Sequence, residues 1–265
     1  MNNLPPEIAT EVWKKELRND ILASISGNSI ERKRATERVG YTYLCVAPAS
    51  LYKYYRNPER DFATVKNNTM WYSAPVKCND IFDSDFSVDV ERVFNNLLNQ
   101  IPEAKTIRPG SKYWKDLRAK IIPMIHGFKQ QLVSNRETTG IACFSESESD
   151  LLMWAHYANH HQGICVEYEL MRFSTELNYT PVPVVYSSKR SQVSSINLDD
   201  IESFSLSLLT ESLTSKSPEW SYEKEWRIIR DSGACGDLWD YEKKGALLPS
   251  ITPSSIILGC AVSDK

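Results

Sequence analysis

The run WSYEKEWRII, residues 220–229, places two glutamates and an arginine at alternate positions. As a strand, its period of two sets Glu223, Glu225 and Arg227 on one face and Lys224, Trp226 and Ile228 on the other. With Trp220 and Tyr222 beside it, that charged face suits a polar cleft lined by aromatics. It equally suits an exposed face whose Glu and Arg side chains pair with one another. A second group lies in WYSAPVKCNDIFDSD, residues 71–85: Ser73 at a strand end, then Asn79, Asp80, Asp83 and Asp85. Asn and Asp in such a loop close turns through their side chains, bind ligand hydroxyls, or gather carboxylates around Mg²⁺. In LYKYYR, residues 51–56, Leu51, Lys53 and Tyr55 alternate with Tyr52 and Tyr54. Lys53 either snorkels to solvent or holds an anion such as a phosphate. His156 and His160, four apart in a helical segment, would share one face and could share zinc, but Tyr157 replaces the glutamate of an HExxH motif. The alternative is packed histidines with one ring nitrogen hydrogen-bonded.

The elements that must position these groups follow from periodicity and punctuation. Residues 5–25 read as an amphipathic helix, with Pro5 and Pro6 at its start and Trp13, Leu17, Ile21 and Ile25 every fourth residue. Gly27-Asn28 stops it, and a charged segment follows. TYLCV near Tyr41, LYKYY and NNTMWYS read as strands. Val90, Val93, Phe94, Leu97, Leu98 and Ile101 form a helical stripe, and a helix over 113–133 is expected to kink or divide at Pro123. TTGIACFSE, GICVEYEL, VPVVYS, EKEWRIIRD and SSIILGCAV read as strands, SESDLLMWAHYANHHQG as a helix stopped by Gly163, and 198–214 as another helix. Helices inserted between strands predict an α+β fold with small mixed or antiparallel sheets forming a cleft. The division expected is an N-terminal helical extension, 1–40, and a single domain, 41–265.

Composition sets the outer limits. The formal charge of −3 leaves no global basic footprint, so nucleic acid is not an expected partner. The clusters Arg32/Lys33/Arg34/Arg38 and Lys112/Lys115/Arg118/Lys120 read as solvated helix faces. No stretch approaches the length of a membrane span, and no secretory leader is recognised, so a cytoplasmic protein without membrane contact is expected. The six cysteines are scattered, without a CxxC pair, and read as reduced core thiols. No GxSxG elbow and no Ser/His/Asp order is seen, and with ten glycines and no phosphate loop a Rossmann or P-loop site is excluded in practice.

Taken in order, LYKYY, MWYSAPVKCNDIFD, ACFSESESDLLMWAHYANHHQGICVEY, VVYS, WSYEKEWRII and SSIILGC resemble a bacterial family known as a domain of unknown function, DUF2971, from about residue 51 to 260. Ile81 stands where that family places Pro. Members often continue past the ILG strand, so the resemblance implies that an element of the last layer is missing beyond Lys265. The arrangement also looks like AbiGi-type abortive-infection proteins and, more distantly, is similar to ADP-ribosyltransferases. The latter resemblance implies catalytic positions at Lys53, Ser73, Glu223 and Glu225, although Lys53 stands where those enzymes carry Arg or His. On that reading, NAD⁺ is the substrate, and no cofactor is otherwise implied. Glu225 holds a ribose hydroxyl and stabilises an oxocarbenium-like state. Ser73 positions the carboxylate, Lys53 meets the pyrophosphate, and Trp71, Tyr54 or Tyr72 stacks on a ring. Tyr52, Asn79, Asp80, Trp154, His156, Tyr157 and Arg227 complete the candidate ligand contacts. A role in phage defence or as a toxin follows from the family comparison alone. Two other classes stay open: a non-catalytic module binding a nucleotide or small ligand, and a metal-dependent phosphodiesterase or nuclease using Asp80, Asp83 and Glu225. The N-terminal helix either packs on its own domain or meets a partner protein or second copy.

Overall fold

The computed structural model describes residues 6–56, 58–80 and 83–262. Pro5, Ile81 and Lys265 therefore lie outside the described residues. In chain order come α1 (Pro6–Ser26), α2 (Ser29–Cys45), β1 (Ser50–Tyr55), α3 (Pro58–Lys66), β2 (Thr69–Ser73), β3 (Phe86–Val88), α4 (Val90–Gln100), α5 (Lys112–Glu137), β4 (Gly140–Ser145) and α6 (Leu151–Tyr157). Then follow β5 (Ile164–Glu169), α7 (Leu170–Leu177), β6 (Val182–Pro183), β7 (Val185–Tyr186), β8 (Ser191–Val193), α8 (Ile201–Leu213) and β9 (Ser215–Lys216). The chain closes with β10 (Glu225–Arg230), α9 (Ser232–Cys235), β11 (Trp239–Asp240), β12 (Gly245–Pro249) and β13 (Ser255–Leu258). The fold is α+β, with helices inserted between strands.

Among the described residues, nine strands form one antiparallel sheet, ordered β11-β12-β2-β4-β1-β5-β13, with β10 and β6 joined through β4. Two short parallel pairs, β3-β8 and β7-β9, stand apart from it. The sheet forks at β4. One edge of β4 is taken along its whole length by β10, from Glu225↔Ser145 to Arg230↔Gly140. The other edge is shared: β1 meets it at Tyr52↔Ser145 and β2 at Ser73↔Ile141. The Glu146 N–H bonds Lys224 O, so alternation turns the backbone groups of Ser145, Cys143 and Ile141 away from β10. Those of Cys143 therefore open into the gap between β1 and β2.

One face of the sheet is dry. Leu51 and Tyr55 of β1, Met70 and Tyr72 of β2, Phe144 of β4, Trp226 and Ile228 of β10 and Phe173 of α7 pack there, covered by Leu17 and Ile21 of α1. The expected four-residue stripe thus does its work on the chain's own sheet, and Trp13 lies 6.2 Å from the Trp226 ring. A smaller core joins Val93, Phe94 and Leu97 of α4 to Ile125 of α5.

Two readings of local structure are corrected. TYLCV is the last turn of α2, not a strand. The Asn28 side chain caps the helix by accepting from Glu31 N, and Ala35, Val39 and Tyr43, four apart, face the core, so tertiary packing overrides β propensity. Pro123 does not divide α5, which runs from Lys112 to Glu137 although the proline supplies no N–H donor. All six cysteines are free, but Cys45 and Cys260 are exposed, not in the core. No helix among the described residues is long and apolar enough to cross a membrane.

Candidate functional site

The fork opens on a cleft of about 740 Å³ whose lining includes Lys53 of β1, Ser73 of β2, Cys143 of β4 and both Glu225 and Arg227 of β10. Antiparallel partners share a face, so the pairs Glu225↔Ser145, Arg227↔Cys143 and Tyr52↔Ser145 put Glu225, Arg227 and Tyr52 together opposite the dry core. Glu223 reaches the cleft by a different route from the one expected. Residues Pro218–Glu223 form a 3₁₀ turn, and Lys224 adopts a left-handed backbone at φ 44° before the strand begins at Glu225. That turn, not strand alternation, sets Glu223 beside Glu225.

At the floor, five charges close on one another. Arg227 forks two carboxylates: Nε and Nη2 donate to Glu225 at 2.8 and 3.0 Å, while Nη1 and Nη2 donate to Asp83 at 2.8 and 2.6 Å. Nη1 also reaches Leu213 O at 2.7 Å. Lys216 Nζ bridges the glutamates, donating to Glu223 at 2.6 Å and Glu225 at 3.1 Å. Tyr157 OH donates to Glu223 at 2.5 Å and accepts from Asn79 at 2.8 Å. Ser145 Oγ fixes the turn through Glu223 O, and the Tyr186 hydroxyl accepts from Glu225 N. A buried charge is tolerable only when its partners satisfy it, and here two cations hold three carboxylates.

The two glutamates sit in opposed environments. Burial alone would raise Glu225, but Arg227 and Lys216 overcome it and hold the carboxyl well below the usual range. Burial and the neighbouring Glu225 charge raise Glu223, against the pull of Lys216. Adjacent carboxyls pushed apart in this way provide a fixed anion and a group able to exchange a proton, the pairing on which acid–base catalysis relies. Burial and Glu223 also keep the Tyr157 phenol protonated. The thiols of Cys143 and Cys78 stay protonated, Cys78 being pushed up to about 12 by burial.

Above this floor the walls are aromatic and the rim basic. Tyr52, Tyr54 and Trp71 line the cleft, with Arg56, Arg60, Lys77 and Lys243. In all, seven Lys or Arg side chains line it against four Asp or Glu, in a chain whose formal charge is −3. The cleft is a basic concavity on an acidic protein, which favours anionic ligands.

Of the predicted positions, Lys53, Ser73, Glu223 and Glu225 come together here, with Tyr52, Tyr54, Trp71, Asn79, Tyr157 and Arg227. Four others stand elsewhere. Tyr72 alternates with Trp71 and Ser73 and so lies in the dry core. Asp80 is buried outside the lining. Trp154 donates to Glu148 O and packs on Ala158 and Cys165. His156 is exposed, and α6 ends at Tyr157, so the helical face it would share with His160 does not exist. Among the described residues no cluster of three His, Cys, Asp or Glu is arranged to hold a metal ion. Lys216 belongs to the site without any sequence signal, since in LTSKSPEW nothing distinguishes it from a surface lysine. By sequence Asp83 is a loop or metal carboxylate; in the fold its partner is Arg227 of a distant strand.

A family model described as "Protein of unknown function (DUF2971)" matches residues 153–228. The resemblance is thus shown over the stretch from α6 into β10, which carries Tyr157, Lys216, Glu223, Glu225 and Arg227; Lys53, Ser73 and Asp83 lie outside it. No curated protein and no solved structure matches the chain. The likenesses to AbiGi-type proteins and ADP-ribosyltransferases accordingly gain no support from these comparisons.

Proposed function

We propose that the cleft takes an anionic, ring-bearing ligand of the nucleotide class, and that its floor serves cleavage at a ribosyl carbon, with NAD⁺ the first substrate to test. One observation carries the reading: two adjacent carboxyls, bridged by Lys216, lie at the bottom of a basic, aromatic-walled cleft. Phosphates would meet the rim cations and a base would stack on Tyr52, Tyr54 or Trp71. Breaking the C1′–N bond sends its electron pair into the nicotinamide ring and leaves a cationic sugar carbon. Glu223 takes the proton from the water that attacks this carbon, giving nicotinamide, ADP-ribose and a released proton. Glu225, already committed to Arg227 and Lys216, positions Lys216 and Glu223 and keeps the floor anionic.

Nicotinamide release from NAD⁺ by the wild type is the test, with Glu223→Gln lowering it by a factor of about 100 or more. Background release from both proteins would overturn the catalytic step. A second reading, a nucleotide-binding module without chemistry, is favoured by the closed pairing of Asp83, Arg227 and Glu225, which satisfies these groups without a ligand. Under it, NAD⁺ raises the melting temperature and is recovered unchanged.

A further inference from the structure

We infer that Lys53 is an amine nucleophile of the cleft, placed to condense with the carbonyl group of a small phosphorylated aldehyde or ketone. The position is unusual for a lysine. Alternation along β1 puts it on the core side with Leu51 and Tyr55, both buried. Its chain instead turns into the fork between β1 and β2, where Nζ donates to Cys143 O at 3.1 Å and the side chain lines the cleft. The fork thus makes the place for it: a mid-strand carbonyl that neither neighbouring strand reaches.

Its surroundings hold an ammonium charge less firmly than a carboxylate partner would. Lys14 has Glu146 at 2.8 Å and Lys216 has two glutamates within 3.1 Å. Lys53 has no ion pair among the described residues; a backbone oxygen and the rings of Tyr55 and Phe144, 5.7 and 5.3 Å away, are its contacts. Burial lowers its proton affinity, offset in part by Cys143, Glu225 and Asp61. The neutral amine is the form that attacks carbonyl carbon, and desolvation favours that form.

The surrounding cleft supplies the rest. Its excess of cations selects a phosphorylated or otherwise anionic partner, and Glu223 in the same lining can exchange the protons that the step requires. Nitrogen bonds the carbonyl carbon as the C=O pair moves to oxygen. The oxygen then departs as water, carrying away both amine hydrogens, and a C=N bond remains. No oxidant or reductant is needed. The inference is independent of NAD⁺ cleavage, since a chain that releases no nicotinamide can still form the imine.

Pyridoxal 5′-phosphate, an aldehyde bearing both a ring and a phosphate, is the probe. The wild type is treated with it at pH 7.5, trapped with borohydride and mapped by peptide mass spectrometry. Lys53 should be labelled at least tenfold faster than the average lysine, inorganic phosphate should slow that labelling, and Lys53→Arg should lose the fast phase while surface lysines react as before. The rate at Lys53 should also level off at a lower pH than that of the surface lysines, a readout on the wild type alone should the variant not fold. Even labelling across surface lysines with Lys53 unmodified would overturn the assignment.

Discussion

The side chains on the two faces of β10 are equally buried and depend on opposite physics. Trp226 and Ile228 are 0% and 1% exposed, while Arg227 and Glu225, their neighbours in sequence, are 0% and 4% exposed. On the first face, burial is itself the stabilising term, non-directional and insensitive to protonation. On the second, burial is a cost of several kcal/mol per ion, roughly, offset only while every partner is in place and charged. One strand therefore carries a robust face and a conditional one. The conditional face is where the cleft lies, because groups held by mutual charge are also groups that a ligand or a proton can rearrange.

The largest predicted effect is Arg227→Ala, which strands Asp83 and Glu225 without their shared partner. A loss of about 3–5 kcal/mol in urea denaturation at pH 7 is expected. A loss below about 1 kcal/mol would mean that the floor is solvated and that the contrast between the faces is false.

Acid titration should separate the faces next. Glu225 is depressed in the folded chain, so its contribution is complete above the unfolded value of about 4.3 and drains away as pH falls toward the folded one. Glu223 is raised, so its contribution is complete below about 4.3 and is lost as pH rises through its folded value. Between about pH 6 and 3, Glu225→Gln should flatten the acid loss of stability, whereas Glu223→Gln should steepen it. Parallel profiles for the two variants would remove the distinction drawn between the glutamates. Ile228→Val, on the apolar face, should cost the least, about 0.5–1.5 kcal/mol. Its pH profile should superimpose on the wild type when followed by thermal melting.

Much of this face contrast could be read in advance. The alternation of EKEWRII separates Glu225 and Arg227 from Trp226 and Ile228, because a strand's period is fixed by its backbone. The four-residue stripe of α1 likewise announced the side that meets the sheet. Glu223 shows where such reading stops: it belongs to the site, but through a left-handed residue at Lys224 that no periodicity announces. α2 shows another failure, since YTYLCV has strand-like residues and yet completes a helix whose packing partner is α1.

The sequence by itself determined the α+β class and the strands that carry the charged and aromatic residues. Local propensity and alternation contain that information, because both act over a few residues; the convergence to be looked for among Lys53, Ser73, Glu223 and Glu225 was implied only by the resemblance to ADP-ribosyltransferases. Only the tertiary structure decided that β4 forks between β1 and β2, that Lys53 fills the fork, and that Lys216 and Asp83 complete the floor. Those choices pair residues separated by 90 and 144 positions, as Lys53 with Cys143 and Asp83 with Arg227. Such pairing follows from which arrangement leaves no buried charge or backbone carbonyl without a partner, a condition on the folded whole.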